Sequence, residues 1–327
     1  MAQEQYREDI VQLMKKCIGC GLCTETCTSH SHGGCNPMEV MLGNLSSAKG
    51  CIGCGKCSSV CAETDPWKVM MYVTCVEYNF RIPETFRRTG YHLPIRNNDS
   101  VPEIPFSENG LEIMPGCFVR ALLPFIEYSA SVSLNALGIK NKRHEAGCCT
   151  FPIPYRIMDD EERDRIKMDY VENDRNRMII TLCPGCSNEM SSAGADAVHI
   201  VDIYHQNIQK LKEMNPVNLK VAIQPGCHLL HKTAEFKEVV SSIPGIELVD
   251  LPIGCCGKMV EGISESIMKE RQQSMKDLDA VIVGCPSCFS RYDAYPEGIP
   301  VLHISELVSM ASGDSKSLEF HKNVLTV

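Results

Sequence analysis

Short apolar runs alternate with long amphipathic stretches over most of the chain beyond residue 110. The runs LEIM (111–114), RMIITL (177–182), LKVAI (219–223), IELVDLPIG (246–254) and DAVIVG (279–284) are brief and rich in aliphatic residues. Such runs mark strands buried on both faces. Between them lie FVRALLPFIEYSASVSLNALG, DDEERDRIKMDYVENDR and ISESIMKERQQSMKDLD, whose apolar positions recur at helical spacing. Strands alternating with helices predict parallel sheets with helical crossovers. In such sheets ligands sit beyond the carboxyl ends of the strands, where strand order reverses. Residues 5–16, 38–45 and 66–78 show no two-residue alternation and predict a helical N-terminal domain. The stretch 81–110 is proline-rich and polar and reads as a linker.

At 327 residues the chain has room for two or three cores. The start, MAQEQYREDIVQLMKK, lacks the apolar run of a signal peptide, and no stretch approaches the roughly twenty apolar residues that span a bilayer. A cytoplasmic protein is expected, with any membrane association made through a partner. In that compartment the 20 cysteines are not disulfide staples. A formal charge of −9 without a basic tract argues against nucleic acid as a partner.

The cysteines follow two grammars. Cys17-x2-Cys20-x2-Cys23-x3-Cys27 recurs as Cys51-x2-Cys54-x2-Cys57-x3-Cys61. That spacing holds [4Fe–4S] cubanes, three close thiolates binding one cluster and the fourth reaching the other. The expected sets are Cys17, Cys20, Cys23 with Cys61, and Cys51, Cys54, Cys57 with Cys27. Zinc, which takes two separated pairs, fits this spacing poorly. Cys35 and Cys75 stand outside the grammar and read as small buried residues, and His30 and His32 as loop residues.

In the second grammar, Cys117 after Met-Pro-Gly, Cys148-Cys149 and Cys183-Pro-Gly-Cys186 are repeated as Cys227 after Gln-Pro-Gly, Cys255-Cys256 and Cys285-Pro-Ser-Cys288. The offsets are 110, 107 and 102 residues, which marks a duplication. Five thiols per repeat exceed what a cubane or a tetrahedral zinc uses, and adjacent thiolates suit a cluster with a shared or exposed iron. All ten stand at predicted strand ends, where helix N-termini favour thiolate.

These repeated Cys…Cys-Cys…Cys-x-x-Cys sets resemble the cysteine-rich CCG domain. With the two-cubane segment before them, the chain resembles heterodisulfide reductase. It has the form of a fusion of that family's small ferredoxin-like subunit with its CCG-domain subunit, the order found in the membrane-linked version. The resemblance implies an α+β multidomain protein: a helical ferredoxin-like domain at 1–80, the linker at 81–110, and two α/β CCG domains at 111–212 and 213–327. It implies a noncubane [4Fe–4S] cluster on each five-cysteine set and cleavage of the coenzyme M–coenzyme B disulfide between them. One departure is Cys148-Cys149-Thr150, which lacks the family glycine that Gly257 supplies in the second repeat. Another is the shortness of the intervals between cysteines.

Two one-electron centres match a two-electron disulfide cleavage. No GxGxxG or other flavin or nicotinamide fingerprint appears, so an electron-donating subunit is expected: a flavoprotein with ferredoxin motifs or a membrane cytochrome b. The substrate's anionic groups call for fixed cations. Candidates are Arg120, Arg156, His228, Lys232 and Lys258, with His228 and Lys258 foremost because each lies within two residues of an expected ligand. The same two modules also resemble the electron-transfer subunits of glycolate, lactate and glycerol-3-phosphate dehydrogenases, and part of a thiol-dependent fumarate reductase. Completeness of both five-cysteine sets favours the disulfide reductase.

Overall fold

The computed structural model describes residues 7–77, 84–95, 101–144, 148–149, 177–257, 260 and 262–325. These fall into two compact units. One takes the described residues up to Ile82 together with those of Gly254–Glu270. The other takes those of Pro83–Phe151, Asp160–Ile253 and Arg271–Val327.

In the first unit the segment up to Glu77 is helical, with the longer helices at Glu8–Lys15 and Pro66–Glu77 and single turns between them. Asn36 accepts from the Glu39 amide, and Pro37 takes the first position of the helix Pro37–Met41, where its missing N–H costs nothing. The core of this segment gathers Ile10, Val40, Met41, Val69, Met70 and Val73 around Cys27 and Cys35. Within the stretch read as a linker, Glu84–Thr89 forms a helix.

The second unit holds two four-stranded sheets of identical design. β1 (Leu111–Met114), β2 (Asn141–Arg143), β3 (Ile179–Thr181) and β4 (Ala197–His199) lie in the order β2-β1-β3-β4. β5 (Leu219–Gln224), β6 (Ile246–Leu248), β7 (Ala280–Val283) and β8 (Val301–His303) lie as β6-β5-β7-β8. All pairings are parallel, with Ile113 beside Ile180 and Ile223 beside Ile282. Strand order reverses between β1 and β3 and again between β5 and β7, which opens a crevice at those carboxyl ends.

The apolar stretch after Cys117 makes two helices, Gly116–Leu122 and Pro124–Ala136, bent by 112°. Pro124 disfavours a helical conformation at the residue before it, and Leu123 sits at φ −137°, ψ 49°. The second helix is buried almost all round. Phe125 meets Phe289 edge-on and stacks on Phe320, while Tyr128 donates to Asp314 at 2.7 Å. These contacts join the two repeats into one body. Among the described residues no single helix is long and apolar enough to cross a membrane.

Candidate metal centres

In the first unit, Gly21 and Gly55 occupy the same place in the two Cys-x2-Cys-Gly-x-Cys segments. Both have left-handed backbone, φ 85° and 78°, and turn the chain into the short helices that carry Cys23 and Cys57. Cys27, Cys51, Cys54 and Cys57 line one cavity with Trp67 and Met70, and Cys35 shares its wall. Trp67 donates to the Gly53 carbonyl at 3.1 Å, fixing the loop between Cys51 and Cys54. The Cys57 thiol is pushed well up by burial and by the neighbouring Cys54, Cys27 and Cys23 sulfurs. Cys23 is raised by burial, which the Thr24 hydroxyl only partly offsets. Thiols crowded this closely cannot all ionise unless a cation neutralises them, and coordination to iron does that. Cys20 is exposed, and Cys17 and Cys61 are half-buried.

In the second unit the first five-cysteine set is continuous. Cys148 lies 3.9 Å from Cys117, Cys149 contacts Cys148 and Cys186, and Cys186 contacts Cys183. Cys117 is driven up by its hydrogen bond to Cys148 and by burial. Cys183 and Cys285 cap the helices Pro184–Ser192 and Pro286–Asp293, each with proline at the first turn. Each cysteine therefore stands at the N-terminus of its helix, where the backbone amides favour a thiolate. The two capping cysteines lie near enough to bias one another's ionisation. Hydrogen bonds from Cys183 and Cys288 hold Cys285 well below the usual thiol range. Cys186 lowers Cys183, but Cys285 and burial push it up to about 12.

The backbone yields space for these sulfurs. Gly116 has φ 81°, and a Cβ there would stand 2.9 Å from the Cys186 sulfur. Gly226 has φ 107°, and a Cβ there would stand 2.8 Å from the Cys285 Cβ. Cys227 opens the 3-10 turn Cys227–Lys232 and is half-buried. Cys255 and Cys256 belong to the first unit, both buried, with the Gly257 amide donating to the Cys255 sulfur at 3.4 Å. Among the described residues no three His, Cys, Asp or Glu side chains are arranged around a single-ion position. Thiols spread along cavity walls fit a multi-iron cluster, which takes each thiolate on a different iron.

Two histidines that spacing does not single out sit between the capping cysteines. His199 and His303 end β4 and β8 and are fully buried. Each accepts at Nδ1 from the amide two residues on, Val201 or Ser305, so Nε2 carries the proton. Both Nε2 atoms approach the Gly284 carbonyl, at 2.9 and 3.3 Å, and His303 also reaches that of Leu182. Gly284 and Leu182 immediately precede Cys285 and Cys183. Burial and the facing His303 hold His199 down at about 3, so its ring is neutral.

Of the expected cations, Lys232 pairs with Asp202 at 2.5 Å and Arg120 lies over the Tyr91 ring at 5.9 Å. The His228 carbonyl accepts from Asn188. Lys258 and Arg156 lie outside the described residues.

Residues 112–191 and 221–291 each match the CCG cysteine-rich domain family. The chain carries two CCG domains. They correspond to the two sheets, and the sequence repeat coincides with a structural one. Among curated relatives, one of the subunits of the fumarate reductase (CoM/CoB) of Methanothermobacter marburgensis is 31% identical over 175 residues, 45% of this chain and 36% of that one. One of the subunits of the ferredoxin:CoB-CoM heterodisulfide reductase of Methanosarcina mazei is 24% identical over 276 residues, 63% of this chain and 90% of that one. The chain thus spans about a third of the first relative's length and most of the second's. A crystal structure of a hypothetical protein from Helicobacter pylori aligns with TM-score 0.54 at 9% identity, over 80% of this chain and 61% of that one, and shares the fold. In its two CCG segments the chain is thus similar to subunits of heterodisulfide reductases and of a fumarate reductase (CoM/CoB).

Proposed function

We propose that the chain is the iron–sulfur catalytic subunit of a disulfide oxidoreductase, reducing a mixed disulfide such as CoM-S-S-CoB to two thiols. The observation that carries this reading is the duplication itself: Cys183 and Cys285 open equivalent helices after the equivalent strands β3 and β7, near enough to bias one another's ionisation. Cleaving R–S–S–R′ consumes two electrons and two protons and releases two thiols. An iron–sulfur cluster bound by either five-cysteine set would supply electrons singly. Adjoining cysteine sets bring two such one-electron centres to a single substrate.

The chain's own residues prepare the site. Cys183 and Cys285 open helices whose N-termini favour thiolate, and His199 and His303 both donate to the Gly284 carbonyl just before Cys285. Burial of Cys148, Cys149, Cys186 and Cys288 keeps water from the interior side. In this reading Cys117, Cys148, Cys149, Cys183 and Cys186 hold one noncubane cluster, and Cys227, Cys255, Cys256, Cys285 and Cys288 the other. Cys17, Cys20, Cys23 and Cys61, and Cys51, Cys54, Cys57 and Cys27, would hold two cubanes able to take electrons from a partner protein. With Lys232 engaged by Asp202, His228 and Lys258 are the cationic positions assigned to the substrate's anionic groups.

The 31% identity to part of a fumarate reductase (CoM/CoB) favours one variant of this reading, in which the same centre oxidises two thiols to the disulfide. The test is turnover by anaerobically purified chain with full iron. Consumption of CoM-S-S-CoB under reduced viologen, or of the two thiols under oxidised viologen, is expected. A fully loaded chain that turns over neither, yet is reduced by a flavin dehydrogenase, is a relay and refutes the proposal.

A further inference from the structure

The second cubane site has a thiol more than a cubane needs. Cys35 is 2% exposed, and its sulfur lies 3.7 Å from that of Cys27. It also lines the cavity of Cys27, Cys51, Cys54 and Cys57. Its place is built rather than incidental. The fully buried Ser29 hydroxyl accepts from the Cys35 amide at 3.4 Å and donates to the carbonyl of Gly50, the residue before Cys51. One side chain thus ties the Cys35 backbone to the length of chain entering the cluster loop.

We propose that Cys35 is an S–H donor to the Cys27 ligand sulfur of the second cubane and raises that cluster's reduction potential. The inference rests on the reading of Cys27, Cys51, Cys54 and Cys57 as its ligands. A ligand sulfur is a thiolate and carries no proton, so in the Cys27–Cys35 pair the proton stands on Cys35. An added electron spreads negative charge onto the ligand sulfurs, and a donor aimed at one of them stabilises the reduced cluster. The result is a graded pair of cubanes, with the Cys35-bearing one the better acceptor.

The experiment is a redox titration of the full-length, anaerobically purified protein, followed by the electron paramagnetic resonance of its reduced cubanes. Wild type, Cys35→Ala and Cys35→Ser are compared, with iron and sulfide counted in each. Cys35→Ala is expected to keep full iron and to lower one cubane's potential by about 59 mV, a tenfold shift for one electron. The other cubane should stay where it was. Cys35→Ser, which keeps a donor, should recover most of the shift. Unchanged potentials with full iron in all three overturn the proposal. So does loss of four irons in Cys35→Ala, which would make Cys35 a ligand. A wild type lacking cubane signals fails the ligand reading itself, a different result from either.

Discussion

His199 and His303 face one another with ring centroids 6.4 Å apart, and both direct Nε2 at the Gly284 carbonyl. They end equivalent strands of the two CCG domains, and each begins a capping box, with Asp202 and Glu306 as the returning carboxylates. The pair is therefore the point where the duplicated halves share one hydrogen-bond acceptor, the carbonyl just before Cys285. A buried neutral imidazole fixed at both nitrogens cannot turn, so it sets where the two cysteine-bearing helices begin.

Replacing His199 by Phe removes the shorter donor to Gly284 and the acceptor for the Val201 amide. We expect a loss of about 1–3 kcal/mol, the cost of stranding a buried polar group. His199→Phe and His303→Phe together should cost less or more than the sum of the singles by over about 0.5 kcal/mol, because they share the carbonyl. Urea unfolding of the four proteins checks this, and strict additivity would show that the two rings act independently.

His321 and Glu306 form a buried pair at 2.9 Å, with no exposed side-chain surface on either. Burial lowers the His321 pKa, but the Glu306 charge and hydrogen bond outweigh it, and the net shift is upward. A raised folded-state value stabilises fully below the unfolded value of about 6.5 and fades as pH climbs through the folded one. The stability of wild type relative to His321→Ala should thus be greatest near pH 6, up to about 3–5 kcal/mol for stranding the Glu306 charge, and should shrink toward pH 9. Urea midpoints at both pH values decide it, and a gap that widens with pH contradicts the pairing.

Central strands are legible in the sequence because burial on both faces writes them as continuous apolar runs. LEIM is β1 residue for residue, LKVAI is β5 without its last residue Gln224, and DAVIVG is β7 with one residue added at each end. IELVDLPIG yields only Ile246–Leu248. The flanking strands β2, β4 and β8 have three residues each, too few for any periodicity to show. His199 and His303 therefore carry no strand signal of their own, though His-Ile-Val-Asp and His-Ile-Ser-Glu recur after the two CPxC segments. Cys35 reads as a small buried residue, and it is buried. Its packing against Cys27 joins positions whose spacing follows no cluster grammar.

The relay order has a kinetic signature. Cys54→Ser should lose about four of roughly sixteen irons and block entry from the physiological donor, while a small strong reductant still drives disulfide cleavage. Cys183→Ser should lose cleavage by at least about 100-fold with either donor, about 2.7 kcal/mol of barrier. Equal losses in both variants with both donors would rule out entry through the cubanes.

The last expectation concerns the glycines that leave room for the sulfurs. In Gly226→Ala a side chain is forced onto backbone at φ 107°, ψ 151°, a region costing about 1–3 kcal/mol for other residues. Its Cβ also lands 2.8 Å from the Cys285 Cβ, so Cys285 must move. Gly194 is the control: it too has positive φ, 97°, but an added Cβ meets nothing within 4 Å. Both variants should lose stability to comparable backbone strain. Only Gly226→Ala should also lose the iron bound to its CCG domain, roughly four of sixteen, while the cubane resonances persist. Iron analysis beside spectroscopy separates the two effects, and full iron in Gly226→Ala would mean that Cys285 is not held as a ligand where it stands.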